Sequence, residues 1–144
     1  GPRSRTGAVM SSVLIRTALE SALAAMTPSL ATAYENAPFT VPSGAYQRCA
    51  VLFAEPAVTE MSGTHHREQG YMQVTLCYPL GAGAGAAQAR AELIRSTFYR
   101  GRTFTSGSVS VIIERHPEIV PGRADDDRFI VPVRIRFFAN IVRS

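Results

Sequence analysis

The sequence predicts an α+β domain of two layers, a mostly antiparallel four-stranded sheet with two helices packed on one face, in the order α-β-β-α-β-β. Three observations lead there. Residues 12–26, "SVLIRTALESALAAM", carry apolar side chains at helical spacing; a second helical stretch follows the glycine-rich "YPLGAGAG"; and residues 128–138, "RFIVPVRIRFF", alternate with period two. A chain of 144 residues, 46% hydrophobic and 18% charged, can bury one core and is too short for two ordinary domains.

The opening residues 1–9 lack apolar periodicity and precede Met10, so they read as a non-native, disordered leader, with a single domain over 10–144. In the first helix Leu14, Ile15, Ala18, Leu19, Ala22, Leu23 and Met26 form one stripe, with Arg16, Glu20 and Ser21 off it. A cap at Ser11 or Ser12 starts this helix and Pro28 stops it. "YENAPFTVPSG", with two prolines and a glycine among apolar residues, is an ordered, extended connector. "AYQRCAVLFAE" is apolar on both parities and fits a central strand, while "GYMQVTLCYP" alternates as a half-buried one. Between them "PAVTEMSGTHHREQ" is too long for a tight turn, and long loops in compact domains are often mobile or functional.

The second helix starts at Ala84 or Gly85 and runs to Tyr99, turning Ala86, Ala89, Leu93, Ile94, Thr97 and Phe98 to the core, with Gly101 placed to end it. "SVSVIIER" and "RFIVPVRIRFF" follow as strands joined by "HPEIVPGRADDD". In the last strand Phe129, Val131, Val133, Ile135 and Phe137 share one face and Arg134 and Arg136 the other. Pro132 removes a ladder donor, which suggests an edge strand or a bulge.

All fifteen basic residues are arginine, so lysine chemistry is excluded, and the ordinary spread of these charges fits a coding bias. Without Arg3 and Arg5 the formal charge falls from +4 to +2, which weakens any inference of nucleic-acid binding. Cys49 and Cys77 lie in strand-like runs without CxxC spacing and read as buried thiols of a cytosolic protein; a disulfide is open but not implied. No apolar run reaches the roughly 18 residues of a membrane span, and no signal peptide follows Met10, so a soluble, intracellular protein without membrane contact is expected.

Gly81, Gly83 and Ala86 match G-x-G-x-x-A after a strand and before a helix, but no acidic residue follows at the distance a dinucleotide site requires. A strand-to-helix turn where small residues permit close packing is the simpler reading, with a nucleotide-binding enzyme as the alternative. His65, His66 and His116 lack companions at a metal-site spacing, and "ADDD" lacks the further ligands of a calcium loop. No Ser-centred elbow, HExxH or catalytic cysteine signature occurs, so no catalytic residue and no cofactor is assigned. Arg134 and Arg136, with Arg115 and Arg128 near them, and with Phe138, Ile112 and Ile130 on the same or neighbouring parity, define a face both charged and apolar. That mixture is typical of a protein interface, the alternative being a solvated sheet surface.

"TAYENAPFTVPSGAYQRCAVLFAEP", "GYMQVTLCYPLGAGAGAAQARAELI", "RTFTSGSVSVII" and "VPGRADDDRFIVPVRIRF" together resemble the small tail terminator-like proteins of tailed bacteriophages and prophages, over roughly residues 15–138. The resemblance implies a structural, non-enzymatic α+β protomer of the virion tail, assembled in the bacterial host cytoplasm. It further implies a ring, commonly a hexamer, on the head-proximal end of the tail tube. There the ring ends tube polymerisation and meets a head-completion or connector protein, while DNA passes through its lumen. A different neck or tail-completion component with the same fold is the near alternative. The family supplies no catalytic residue, and from exposure pattern alone the expected contact residues are His65, His66, Arg67 and Glu68 in the long loop and Arg134 and Arg136 on the sheet.

Overall fold

The computed structural model describes the backbone of residues 2–54 and 65–142 and the side chains of residues 12–54 and 67–140. The elements are α1 (Pro2–Ala24), β1 (Thr32–Tyr34), β2 (Tyr46–Phe53), β3 (His65–Pro79), α2 (Gly85–Thr97), β4 (Thr103–Ser106), β5 (Val109–Ile113), β6 (Glu118–Ile119), β7 (Arg123–Asp125) and β8 (Arg128–Val142). The two helices and four long strands of the sequence reading are all present. The sheet, however, is eight-stranded, mixed and curled into a half-barrel, which overturns the mostly antiparallel four-stranded one.

The extra strands have a common physical origin. β1, β4, β6 and β7 are two to four residues long, too short to display period-two alternation, and they sit in the stretches that read as connectors. They form because a long strand offers them a template. β8 pairs along fifteen positions with β3, from His65 opposite Val142 to Pro79 opposite Arg128. Its other edge takes β5, β6 and β7 in succession. β1 is the parallel exception, lying beside β2 through Thr32 opposite Gln47.

This layout also revises the role of Pro132. β8 is a central strand, flanked on both sides, and Pro132 sits opposite Thr75 in an unbroken ladder. Its carbonyl accepts from the Val120 N–H at 2.9 Å on the side away from β3. A residue's N and O point to the same side of a strand, so the missing donor faces the break between β6 and β7, where no ladder bond is lost.

α1 buries the predicted stripe, with Ile15, Ala18, Leu19, Leu23 and Met26 all in the core. It extends back through residues 2–9, which the sequence reading set aside as a disordered leader, and so begins well before Ser11. Off the stripe, the Arg16 guanidinium lies 3.6 Å from Glu20 and 2.5 Å from Glu35. Glu35 also accepts from the Val51 N–H at 2.9 Å, so one carboxylate ties α1 and the segment after β1 to β2. α2 is rotated from expectation. It buries Ala87, Arg90, Ala91 and Ile94, leaves Ala86 and Ala89 exposed, and ends at Thr97, four residues before Gly101. Arg90 can be buried because its guanidinium reaches the Pro28 carbonyl beyond the end of α1.

The core lies between the helices and one face of the sheet. Val131, Val133, Ile135 and Phe137 of β8, Met72, Val74 and Leu76 of β3, Cys49 and Val51 of β2, and Val111 and Ile113 of β5 meet the helix stripes there. Cys49 and Cys77 are both free and buried, on opposite faces of the sheet by strand parity. Burial pushes the Cys49 thiol up to about 12.

Candidate assembly surface

Strand alternation carries every second residue of β2, β3, β5 and β8 to the face that no helix covers. At one end the connector after β1 folds over that face: Phe39 packs on Tyr46 with ring centroids 5.6 Å apart, above buried Cys77 and Ile130. Arg128 pins the connector, donating to the Pro42 carbonyl at 2.6 Å and lying 5.0 Å from the Tyr46 ring. The other end stays open.

On that open end Arg134 stands opposite Gln73 and Arg136 opposite Tyr71, with Gln69 opposite Phe138 and Arg67 opposite Asn140. Arg134 Nε donates to Gln73 Oε1 at 3.2 Å. The Arg136 guanidinium lies 5.9 Å from the Tyr71 ring centroid, and that of Arg67 sits 4.0 Å from the Phe138 centroid. Cation–π contacts of this kind restrain an arginine without consuming its charge. Arg67 is also 3.9 Å from Glu114, which Arg115 approaches at 3.4 Å. Ile112 lies opposite Phe138, and Leu52 is 43% exposed beside Tyr71 in register. A cavity of about 330 Å³ opens here, lined by Leu52, Phe53, Gln69, Tyr71, Glu114 and Arg136 among others.

The floor of the cavity depends on Gly70. Its cross-strand neighbours are Phe53 and Phe137, whose rings meet edge to face at 5.9 Å, and a Cβ on Gly70 would stand 2.0 Å from the Leu52 carbonyl oxygen. Only glycine lets β2 approach so closely as the sheet curls.

The loop group of predicted residues is divided by this arrangement. His65 and His66 belong to the backbone of β3, opposite Val142 and Ile141, and their side chains lie outside the described residues. Arg67 joins Arg134 and Arg136 on the open face, whereas Glu68, opposite Ala139, points to the helix side. Arg128 and Ile130 are taken up by the connector, and Arg115 lies past the end of β5. Arg48, exposed in β2 opposite Thr75, belongs to the face and was missed because β2 reads as apolar on both parities.

The glycine stretch is a turn. Gly81 and Gly83 have φ of +89° and +86°, and a Cβ at either would meet nothing within 4 Å, so these glycines supply backbone conformation rather than the close packing expected of them. α2 has no side-chain cap, and β4, reached through β8 and β5, runs antiparallel to β3, so the parallel β-α-β unit of a dinucleotide fold is absent among the described residues. No helix is long and apolar enough to cross a membrane, and no metal-ligating cluster occurs among the described residues.

Comparison with known proteins places the chain in a family. A solved structure 27% identical in sequence shares the fold with a TM-score of 0.79, over 94% of this chain and 99% of its own. No curated protein matches the chain. The sequence matches the phage tail terminator protein family over residues 14–137, from within α1 to the middle of β8. That span takes in the connector, the curled sheet and most of the open face, and the chain therefore belongs to the phage tail terminator family, a family of structural virion tail proteins.

Proposed function

We propose that this protein closes into a ring, commonly of six copies, on the head-proximal end of the tail tube, where it ends tube polymerisation and presents the surface that a head-completion or connector protein joins. The observation that carries the reading is the family match over residues 14–137, read together with an open sheet face on which arginines stand among apolar side chains. Such a face is suited to being covered by protein. The mechanism is geometric. A head-to-tail contact whose rotation closes gives a ring, one side of which matches the last ring of the tube while the other does not, so elongation loses its template. DNA passes through the lumen without tight binding. Assembly takes place in the host cytoplasm.

A neck component of the same fold is separated from a terminator by where it binds. Gold-labelled protein added to isolated tails and to isolated filled heads, then imaged in negative stain, should mark one end of the tail and leave heads bare. Labelling of heads alone would reassign the protein to the neck.

A further inference from the structure

Resting on the self-assembly reading, we infer that the ring contact is formed by a second copy of this chain, whose Leu80 and Asp125–Asp127 corner docks into the arginine-rimmed cavity between Leu52, Tyr71 and Arg136. The corner is built by two turns held together. The Leu80 N–H donates to the Asp127 carbonyl at 3.1 Å, so the exposed turn after β3 and the β7–β8 turn form one projection. Its tip combines an apolar side chain, Leu80, which is 51% exposed, with three exposed aspartates that form no ion pair among the described residues. Arg123 leaves that tip net negative, and Arg128 is turned away toward Pro42 and Tyr46.

The socket has the opposite character. Leu52 and Tyr71 give the cavity of about 330 Å³ an apolar wall, and Arg136 stands at its edge with Arg134 and Arg67 on the same face. Its one acidic residue, Glu114, lies between Arg67 and Arg115, so the rim is positive overall. Neither Arg134 nor Arg136 has an ion-pair partner among the described residues. The cavity admits a leucine side chain and the rim answers aspartates, a charge complementarity that an arbitrary pair of patches on one chain would not have.

Placement on the fold makes the contact heterologous. Asp127 and Arg136 are nine residues apart along β8, about 30 Å at about 3.3 Å per residue. Corner and socket therefore do not overlap, and one copy engages two neighbours at once, which is the condition for a ring.

Reversing the charges tests the pairing. Self-association is measured by sedimentation over a concentration series at low and high salt for four chains: wild type, Asp125→Arg/Asp127→Arg, Arg134→Asp/Arg136→Asp, and the fourfold combination. Asp126 is left alone because its φ of +55° makes substitution there ambiguous. Each double variant should associate at least about tenfold more weakly than wild type, the fourfold chain should regain most of that loss, and wild-type association should weaken with salt. Leu80→Ser, at an exposed site that folding does not need, should weaken association with the melting temperature unchanged. Double variants that associate as wild type does, a fourfold chain no better than either double, or a wild type monomeric at every concentration would each overturn the inference. None of these results bears on binding to the tail end, so the terminator reading is judged separately by the labelling of tails.

Discussion

At the scale of single residues, two groups concentrate the physical chemistry. Burial by itself would raise the Glu35 carboxyl, but the Arg16 hydrogen bond, the Val51 N–H and the charge of Arg16 outweigh it and hold the group below its ordinary value of 4.5. A carboxyl lowered in the folded state adds stability above its unfolded value and loses it as pH falls through the folded one. Glu35→Gln keeps an acceptor for Val51 and removes the charge. It should cost less than about 1 kcal/mol at neutral pH, because the pair is partly exposed, and flatten the decline in stability as pH falls through and below that ordinary value. Urea unfolding of both chains across that range measures it. Gly70 is the second group. Gly70→Ala drives a methyl into the Leu52 backbone and should lower stability by about 1–3 kcal/mol, read from the denaturant midpoint, since backbone cannot move aside as a flexible side chain would.

At the scale of elements, legibility followed length. The α1 stripe from Leu14 to Met26 and the alternation of Phe129 to Phe137 could be read directly, because many residues repeat one period there. β6 and β7 could not, since a two- or three-residue strand has no period of its own and exists because β8 presents a free edge. Pro132 misled for a related reason. Sequence says that a donor is missing but not which side of the strand it would face, and here it faces a gap between two short partners. α2 was read about one residue out of phase at its start because arginine counts as polar, whereas Arg90 is buried with its head group on the Pro28 carbonyl. The open face was half legible. Arg134 and Arg136 announced themselves by alternation, while Arg67 looked like a loop residue and joined them only because β3 is fifteen residues long.

At the scale of the whole molecule, the fold gives the two faces of the sheet different surroundings. One face of the sheet is spent on the core with α1 and α2; the other is covered by the connector near Tyr46 and left open near Arg136. On the open face Arg67 and Arg136 rest near the Phe138 and Tyr71 rings and Arg134 donates to Gln73, so less side-chain freedom remains to be lost on docking. Arg134→Glu with Arg136→Glu should therefore impair assembly while leaving the thermal melt within a few degrees of wild type, as expected for exposed positions outside the core.

The proposed role, ending tube growth, makes tube length the quantity to measure. Purified tail tube protein is polymerised alone, with the wild-type chain, and with the Arg134→Glu/Arg136→Glu chain, and lengths are scored in negative stain. Wild type should shorten the tubes in proportion to its concentration and sit as a cap at one end, with the variant much less effective. Tubes of unchanged length bearing no cap would contradict the account.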